Sequence, residues 1–243
     1  MRVGVYVDAF NVYYGGRALC GRGTPGWRWL DLTGLTVSLI DQRLWPNSRL
    51  VKIVYCTALR DREGNVSSLT DQKTYIAALR QHSSIVEVVS GIYAPRTKSG
   101  VLVDRNERRV PSPGSTELPR WLPAIEVLGP DGRTELRTSI TTFEEKGSDV
   151  NVASHLLIDV LTDQVDAAVV LSNDSDLAFP LEQARLRAPL GTVNPRKNPT
   201  AMTLRGRNDD GVGRHWWRRL KASDLVAHQL PDRVGRLRKP EGW

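Results

Sequence analysis

The chain has little of what holds small or membrane-bound proteins together by means other than a packed core. Two cysteines, Cys20 and Cys56, among 243 residues exclude a disulfide framework and a four-cysteine zinc site. The four histidines, His82, His155, His215 and His228, have no paired spacing with either cysteine, which disfavours a Cys/His zinc site too. No apolar run approaches the ~18 residues a membrane helix needs. The N-terminal apolar pattern begins at Val3 and meets Asp8 soon after, so no signal-peptide core is expected. Glycine is missing where a nucleotide loop would need it. Asp8-Ala9-Phe10-Asn11 follows the first apolar run and the next glycine is Gly15, which argues against a dinucleotide-binding domain or a P-loop. A cytoplasmic globular protein without membrane contact is the expectation, and its length suits one large domain or two small ones.

Charge is unevenly spread. Lys and Arg total 34 against 27 Asp and Glu, for a net +7. Residues 141–190 carry −6, residues 191–243 carry +7, and the first 140 residues carry +6. An acidic stretch inside a basic chain is compatible with a cation site beside a polyanion partner, and equally with a solvated surface.

Short apolar runs alternate with helical periodicity. Arg2–Asp8, 49–59, 85–93, 167–172 and 190–193 read as strands, and Ala167 to Ser172 is apolar enough for a strand buried on both faces. Residues 29–44, with Asp31 as cap, 67–82, 150–161 and 176–187 read as helices. Strand–helix alternation implies a parallel α/β sheet. Two stretches break the pattern. Residues 95–142 are rich in Pro, Gly and charge, and Gly129-Pro130-Asp131-Gly132 marks a hairpin turn, so this stretch reads as a loop-and-hairpin insertion. Residues 194–214 read as a long loop, and 215–230 as a basic amphipathic helix or helix pair. The division expected is a core domain over 1–194, with the insertion at 95–142, and a basic helical extension over 195–243 packed on it.

Asp8 ends the first strand and Asp174 follows the 167–172 strand. In an open parallel sheet, functional groups gather at the carboxyl ends of strands where strand order reverses. Asp176 stands two residues on, and Asp149 near the start of the preceding helix. Carboxylates meeting in one cleft repel unless a hard cation such as Mg²⁺ or Mn²⁺ joins them, and such a site suits phosphodiester hydrolysis. Taken singly, an Asp after a strand is most often a turn or helix cap, and Asp149 also complements a helix dipole. Phe10 occupies the position of the second aspartate of haloacid-dehalogenase-type phosphatases, which excludes that chemistry. Ser154 and His155 adjoin on one helix and diverge, so no Ser-His-Asp triad is suggested.

Three blocks carry a resemblance. They are Tyr6-Val7-Asp8-Ala9-Phe10-Asn11 with Tyr13-Tyr14-Gly15, then Glu144 to Asn151 around Glu145-Lys146-Gly147-Ser148-Asp149-Val150, and Leu171-Ser172-Asn173-Asp174-Ser175-Asp176-Leu177. In that order they resemble the NYN domain family of PIN-like nucleases, the LabA-like bacterial group in particular. The resemblance implies a three-layer α/β/α sandwich with strand order 3-2-1-4-5 and a metal-dependent endoribonuclease. Its metal ligands would be Asp8, Asp149, Asp174 and Asp176, holding Mg²⁺ or Mn²⁺. Asn11 would order the loop or a metal-bound water, and Ser172 would bond a carboxylate or water. Lys146 would pair with the carboxylates or contact the scissile phosphate. Arg105, Arg108 and Arg109 in the insertion, and Arg214, Arg218, Arg219 and Lys221 in the tail, would bind RNA. Trp216 or Trp217 would stack on a base or pack in the core. A non-catalytic RNA-binding protein and a DNA nuclease of the same superfamily are the alternatives, and homo-oligomerisation is left open.

Overall fold

The computed structural model describes residues 1–59, 66–110 and 121–243. Along the chain run β1 (Arg2–Asp8), α1 (Ala9–Cys20), α2 (Leu32–Leu39), β2 (Arg49–Thr57), α3 (Val66–His82) and β3 (Val86–Ser90). There follow β4 (Ile92–Val101), β5 (Ala124–Leu128), β6 (Thr134–Lys146), α4 (Ser148–Leu161), β7 (Ala167–Leu171), a 3-10 turn (Ser175–Leu177) and α5 (Ala178–Arg185). Last come β8 (Leu190–Asn194), α6 (Met202–Arg205), β9 (Trp216–Arg219), α7 (Ala222–Ala227), β10 (Arg233–Val234) and β11 (Leu237–Arg238). Two units form: Met1–Ile92 with Lys146–Trp243, and Tyr93–Glu145.

The larger unit is α/β, built on a parallel sheet in the order β3-β2-β1-β7-β8-β9. Strand order reverses between β1 and β7. All five residues of β7 are buried, as are six of the seven in β1. That is the burial expected of strands covered on both faces, and it explains why both read as unbroken apolar runs. One helical layer packs against Val3, Val5, Val7, Val169 and Leu171, the other against Tyr6, Ala168 and Val170. Asp31 caps α2 by accepting from the Thr33 N–H at 2.9 Å. The helix expected over 176–187 starts as a 3-10 turn, and Pro180 falls in the first turn of α5, where its missing N–H costs nothing.

The C-terminal segment differs from the helix expected over 215–230. Trp216–Arg219 is instead the sixth strand, parallel to β8 with Trp216 opposite Gly191. A side chain at Gly191 would collide with the Trp216 ring, at 2.3 Å from an added Cβ, so glycine there lets the indole lie on the sheet and meet Trp45, 5.4 Å between centroids. Strand alternation turns Trp217 outward, where Arg205 covers its ring at 4.7 Å. Four residues are too few to show a period in the sequence, and the flanking bases mimic a polar helix face. Only α7 is helical in the segment expected to be so.

The smaller unit is a three-stranded sheet, order β4-β6-β5, so it holds more than the hairpin expected. β5 and β6 pair antiparallel around the Gly129–Gly132 turn, where Gly132 has φ 77°, a value that favours glycine. Residues 111–120 of the expected insertion lie outside the described residues. Among the described residues, no helix is long and apolar enough to cross a membrane.

Two buried polar groups make the larger unit testable. Tyr6 donates to Asp159 at 2.9 Å, and Lys52 pairs with the same carboxylate at 3.0 Å, tying β1 and β2 to α4. Removing one member of such a set leaves the others desolvated without partners. Asp159→Ala should therefore cost about 2 kcal/mol or more, and Tyr6→Phe about 1 kcal/mol, read from denaturant midpoints. The second group is His215. It accepts the Leu190 N–H at 2.9 Å through Nδ1 and offers Nε2 to the Asp210 carbonyl, which fixes a neutral ring. Burial foremost, then Arg185, lowers its pKa below the ordinary 6.5, against the raising hydrogen bond to Asp210. A depressed histidine contributes stability that is fully present above the unfolded value and is lost as pH falls toward the folded one. Stability should thus drop from pH 7 to about 5, and His215→Gln should flatten that slope in pH-dependent melts.

Candidate active site

The residues singled out in the sequence do not all meet. Asp8 ends β1, is 2% exposed, and is the N-cap of α1. Its Oδ1 accepts the Asn11 N–H at 2.9 Å, and its Oδ2 accepts the Asn11 side-chain amide at 2.6 Å and the Ser172 hydroxyl at 2.9 Å. Burial raises the Asp8 pKa, Asp174 adds to the rise, and the three donors oppose it. Ser172 also accepts from the Asp174 N–H at 3.1 Å, and Asp174 caps the 3-10 turn by accepting from Asp176 N–H at 3.0 Å. Asp8, Asn11, Ser172 and Asp174 are therefore one network across the β1–β7 switch point. Asp176 is exposed, Asp149 stands in the first turn of α4, and Lys146 is an exposed residue at the end of β6. Among the described residues, no group of three or more His, Cys, Asp or Glu is placed to hold a metal ion.

Sequence reasoning missed Arg196. Its Nε donates to Asn11 Oδ1 at 2.8 Å, holding the amide so that its NH₂ faces Asp8. The segment after β8 presses on α1 at Gly15, where an added Cβ would lie 2.1 Å from the Pro195 carbonyl oxygen. The basic residues proposed from the sequence are dispersed. Arg105, Arg108 and Arg109 are exposed residues of the smaller unit, and Arg109 pairs with Glu135. In the larger unit, Arg218 pairs with Asp224 at 3.5 Å, Arg219 donates to the Lys197 carbonyl, the Arg214 carbonyl accepts from Trp45, and Lys221 is the N-cap of α7.

A cavity of about 270 Å³ lies along α1. α1 supplies Phe10, Tyr13 and Tyr14, the following loop Trp27 and Arg28, β2 Tyr55 and Thr57, and α3 Asp71, Gln72 and Tyr75. Leu225 and Trp243 also line it. The rings form two sets. Tyr13 lies 5.6 Å from Trp27 and 5.4 Å from Tyr14, and Tyr75 lies 6.1 Å from Tyr55 and 5.8 Å from Trp243. Burial holds the Tyr55 and Tyr75 hydroxyls well above the ordinary phenol pKa, with Asp8 adding to the effect at Tyr55. Both therefore stay neutral. Tyr75 donates to the Leu30 carbonyl at 2.9 Å. Gly16 admits the Trp27 ring against α1, since an added Cβ would lie 2.7 Å from it.

The chain is 31% identical, over an alignment of 265 residues, to the 6-hydroxy-3-succinoylpyridine 3-monooxygenase HspA of Pseudomonas putida, covering 100% of this chain and 75% of that protein. The chain belongs to the family of this monooxygenase. It is also similar to a solved Vibrio parahaemolyticus protein of unknown function, at 15% identity and a TM-score of 0.46 over 90% of this chain and 93% of that one. No family model matches the chain.

Family membership corrects the functional expectation drawn from the acidic blocks. A monooxygenase is an oxidoreductase, which overturns the metal-dependent endoribonuclease reading and its DNA-cutting alternative. The physical reason the sequence misled lies in Asp8-x-x-Asn11. An aspartate between a buried strand and a helix is as much a cap as a ligand, and here it has the geometry of a cap. Ser172→Ala should remove one donor from Asp8 and one acceptor from Asp174, costing about 1–3 kcal/mol and raising the Asp8 pKa further, measured by carboxyl carbon NMR titration.

Proposed function

We propose that this protein is a monooxygenase-type oxidoreductase acting on a small hydroxylated aromatic ring, and that the ring binds in the cavity between α1 and α3. The observation that carries the reading is the cavity itself. Its volume of about 270 Å³ suits a single-ring ligand, being at the small end of the ~300–1,000 Å³ range of ligand pockets. Its walls are aromatic on two sides, and ring pairs stack or tilt favourably at ~4.5–7 Å. The relative is named for 6-hydroxy-3-succinoylpyridine, a planar heteroaromatic of this size class.

Monooxygenation places one atom of O₂ in the substrate and reduces the other to water; the two electrons would come from a reduced nicotinamide or flavin, and the two protons from that donor and solvent. The side chains of the chain act on the ring. Phe10, Tyr14, Tyr55 and Tyr75 hold its plane and exclude water. Asp71 accepts from a hydroxypyridine in its N–H tautomer, while Thr57 and Gln72 face the same space. Gln72 is itself held by the Ala58 carbonyl at 2.9 Å, so it is a fixed wall rather than a free arm. In this reading the NYN-like blocks serve as a shared scaffold: they build the network that fixes the start of α1.

The test is oxygen uptake by the purified chain with 6-hydroxy-3-succinoylpyridine and either electron donor, under ¹⁸O₂. The expected result is substrate-dependent uptake with one labelled atom in the product. Tyr14→Ala should lower kcat/KM about tenfold or more through misplacement of the ring. No uptake with either donor class would sink the proposal.

A further inference from the structure

We infer that Arg28 is the anchor that makes this cavity select aromatic acids over neutral rings of the same shape. The inference rests on the cavity being the substrate site. Arg28 and Trp27 both line it. The guanidinium carbon of Arg28 lies 5.4 Å from the Trp27 ring centroid, a cation–π contact that fixes its plane.

The donors of this pair are left over. Arg28 Nε is buried with no hydrogen-bond partner among the described residues, and so is Trp27 Nε1. Nη1 of Arg28 reaches the Gly242 carbonyl at only 3.4 Å. Nη2 meets no acceptor among the described residues, so the two Nη groups are the ones left for an end-on fork to a carboxylate. Several other arginines of the larger unit are matched to acids: Arg2 with Asp166, Arg43 with Asp41, Arg207 with Asp209, and Arg218 with Asp224. Arg185 also leaves its Nε without a partner, but it sits against Gly206 and donates to the Leu204 carbonyl, outside the cavity. Arg28 is thus a half-buried cation at the wall of an aromatic cavity, with no acid partner among the described residues. A carboxylate at this wall would give the guanidinium a charge-assisted partner.

Asp71 sets the direction. It lines the same cavity from α3 and repels an anion, so the carboxylate arm goes to Arg28 and the hydrogen-bond donor of the ring goes to Asp71. The class selected is a single-ring hydroxylated heteroaromatic with an anionic arm.

Calorimetry on the full chain with 6-hydroxynicotinate and 6-hydroxynicotinamide tests this, because the two probes share a shape and differ in charge. The acid should bind about tenfold or more tightly than the amide to the wild type. That ratio should fall to about one in Arg28→Met and be partly restored in Arg28→Lys. Thermal melts check that each variant folds, and where Arg28→Met does not, Arg28→Gln takes its place. Equal binding of the two probes to the wild type would overturn the anchor while leaving the cavity standing as the ring site. A ratio unchanged in Arg28→Met would place the selectivity elsewhere and overturn it. Equal loss of both probes in that variant would make Arg28 only a clamp for Trp27, which also overturns it. Binding of neither probe to the wild type would overturn the cavity reading beneath it.

Discussion

The buried carboxylate of Asp8 is the point on which the larger unit turns. It lies where β1 becomes α1, and three donors converge on it, two from Asn11 and one from Ser172. The first two set the first turn of the helix; the third ties it to the neighbouring strand β7. A carboxylate at a helix N-terminus is favoured by the unpaired N–H groups and the helix dipole, which offsets part of the cost of burying this group at 2% exposure. The consequence reaches beyond the network. Fixing residues 8–11 fixes the rotation of α1, and that rotation aims Phe10, Tyr13 and Tyr14 into the cavity while Asn11 and Gly15 face the loop after β8.

Two glycines follow from the same constraint. Gly15 and Gly16 sit inside a helix, where each costs about 1 kcal/mol relative to alanine. Each is required by close approach, Gly15 to the Pro195 carbonyl and Gly16 to the Trp27 ring. The helix gives up propensity in order to be packed tightly on two sides. One of those sides is the aromatic wall of the cavity, and the other is the loop that carries Arg196.

The parts legible in the sequence were those with local signals. The runs of β1 and β7 announce burial on both faces, Asp31 announces a cap, and Gly129 to Gly132 announces a hairpin turn; each has the form expected. The switch-point cluster was legible as a set of positions, since Asp8, Asn11, Ser172 and Asp174 do converge. Its chemistry was not, because a capping aspartate and a ligating aspartate look alike until the donors around them are seen. β9 was illegible, being four residues with two tryptophans and two arginines whose strand character comes from the exposed edge of β8. The cavity was illegible for a different reason. Its walls come from residues as distant as Phe10, Tyr75 and Trp243, so no window of sequence contains its pattern. Arg28 carried no signal either, because what distinguishes it is the lack of an acid partner in three dimensions.

In the function proposed for this chain, the aromatic cavity, rather than the acidic strand ends, receives the substrate. A crystal structure of the chain soaked with 6-hydroxynicotinate tests it most directly. Density for the ring is expected between the Tyr14 and Tyr75 walls, with the Asp8 network unchanged. Density for the ring against Asp8 and Asp174 at the strand ends, with none between those walls, would contradict it.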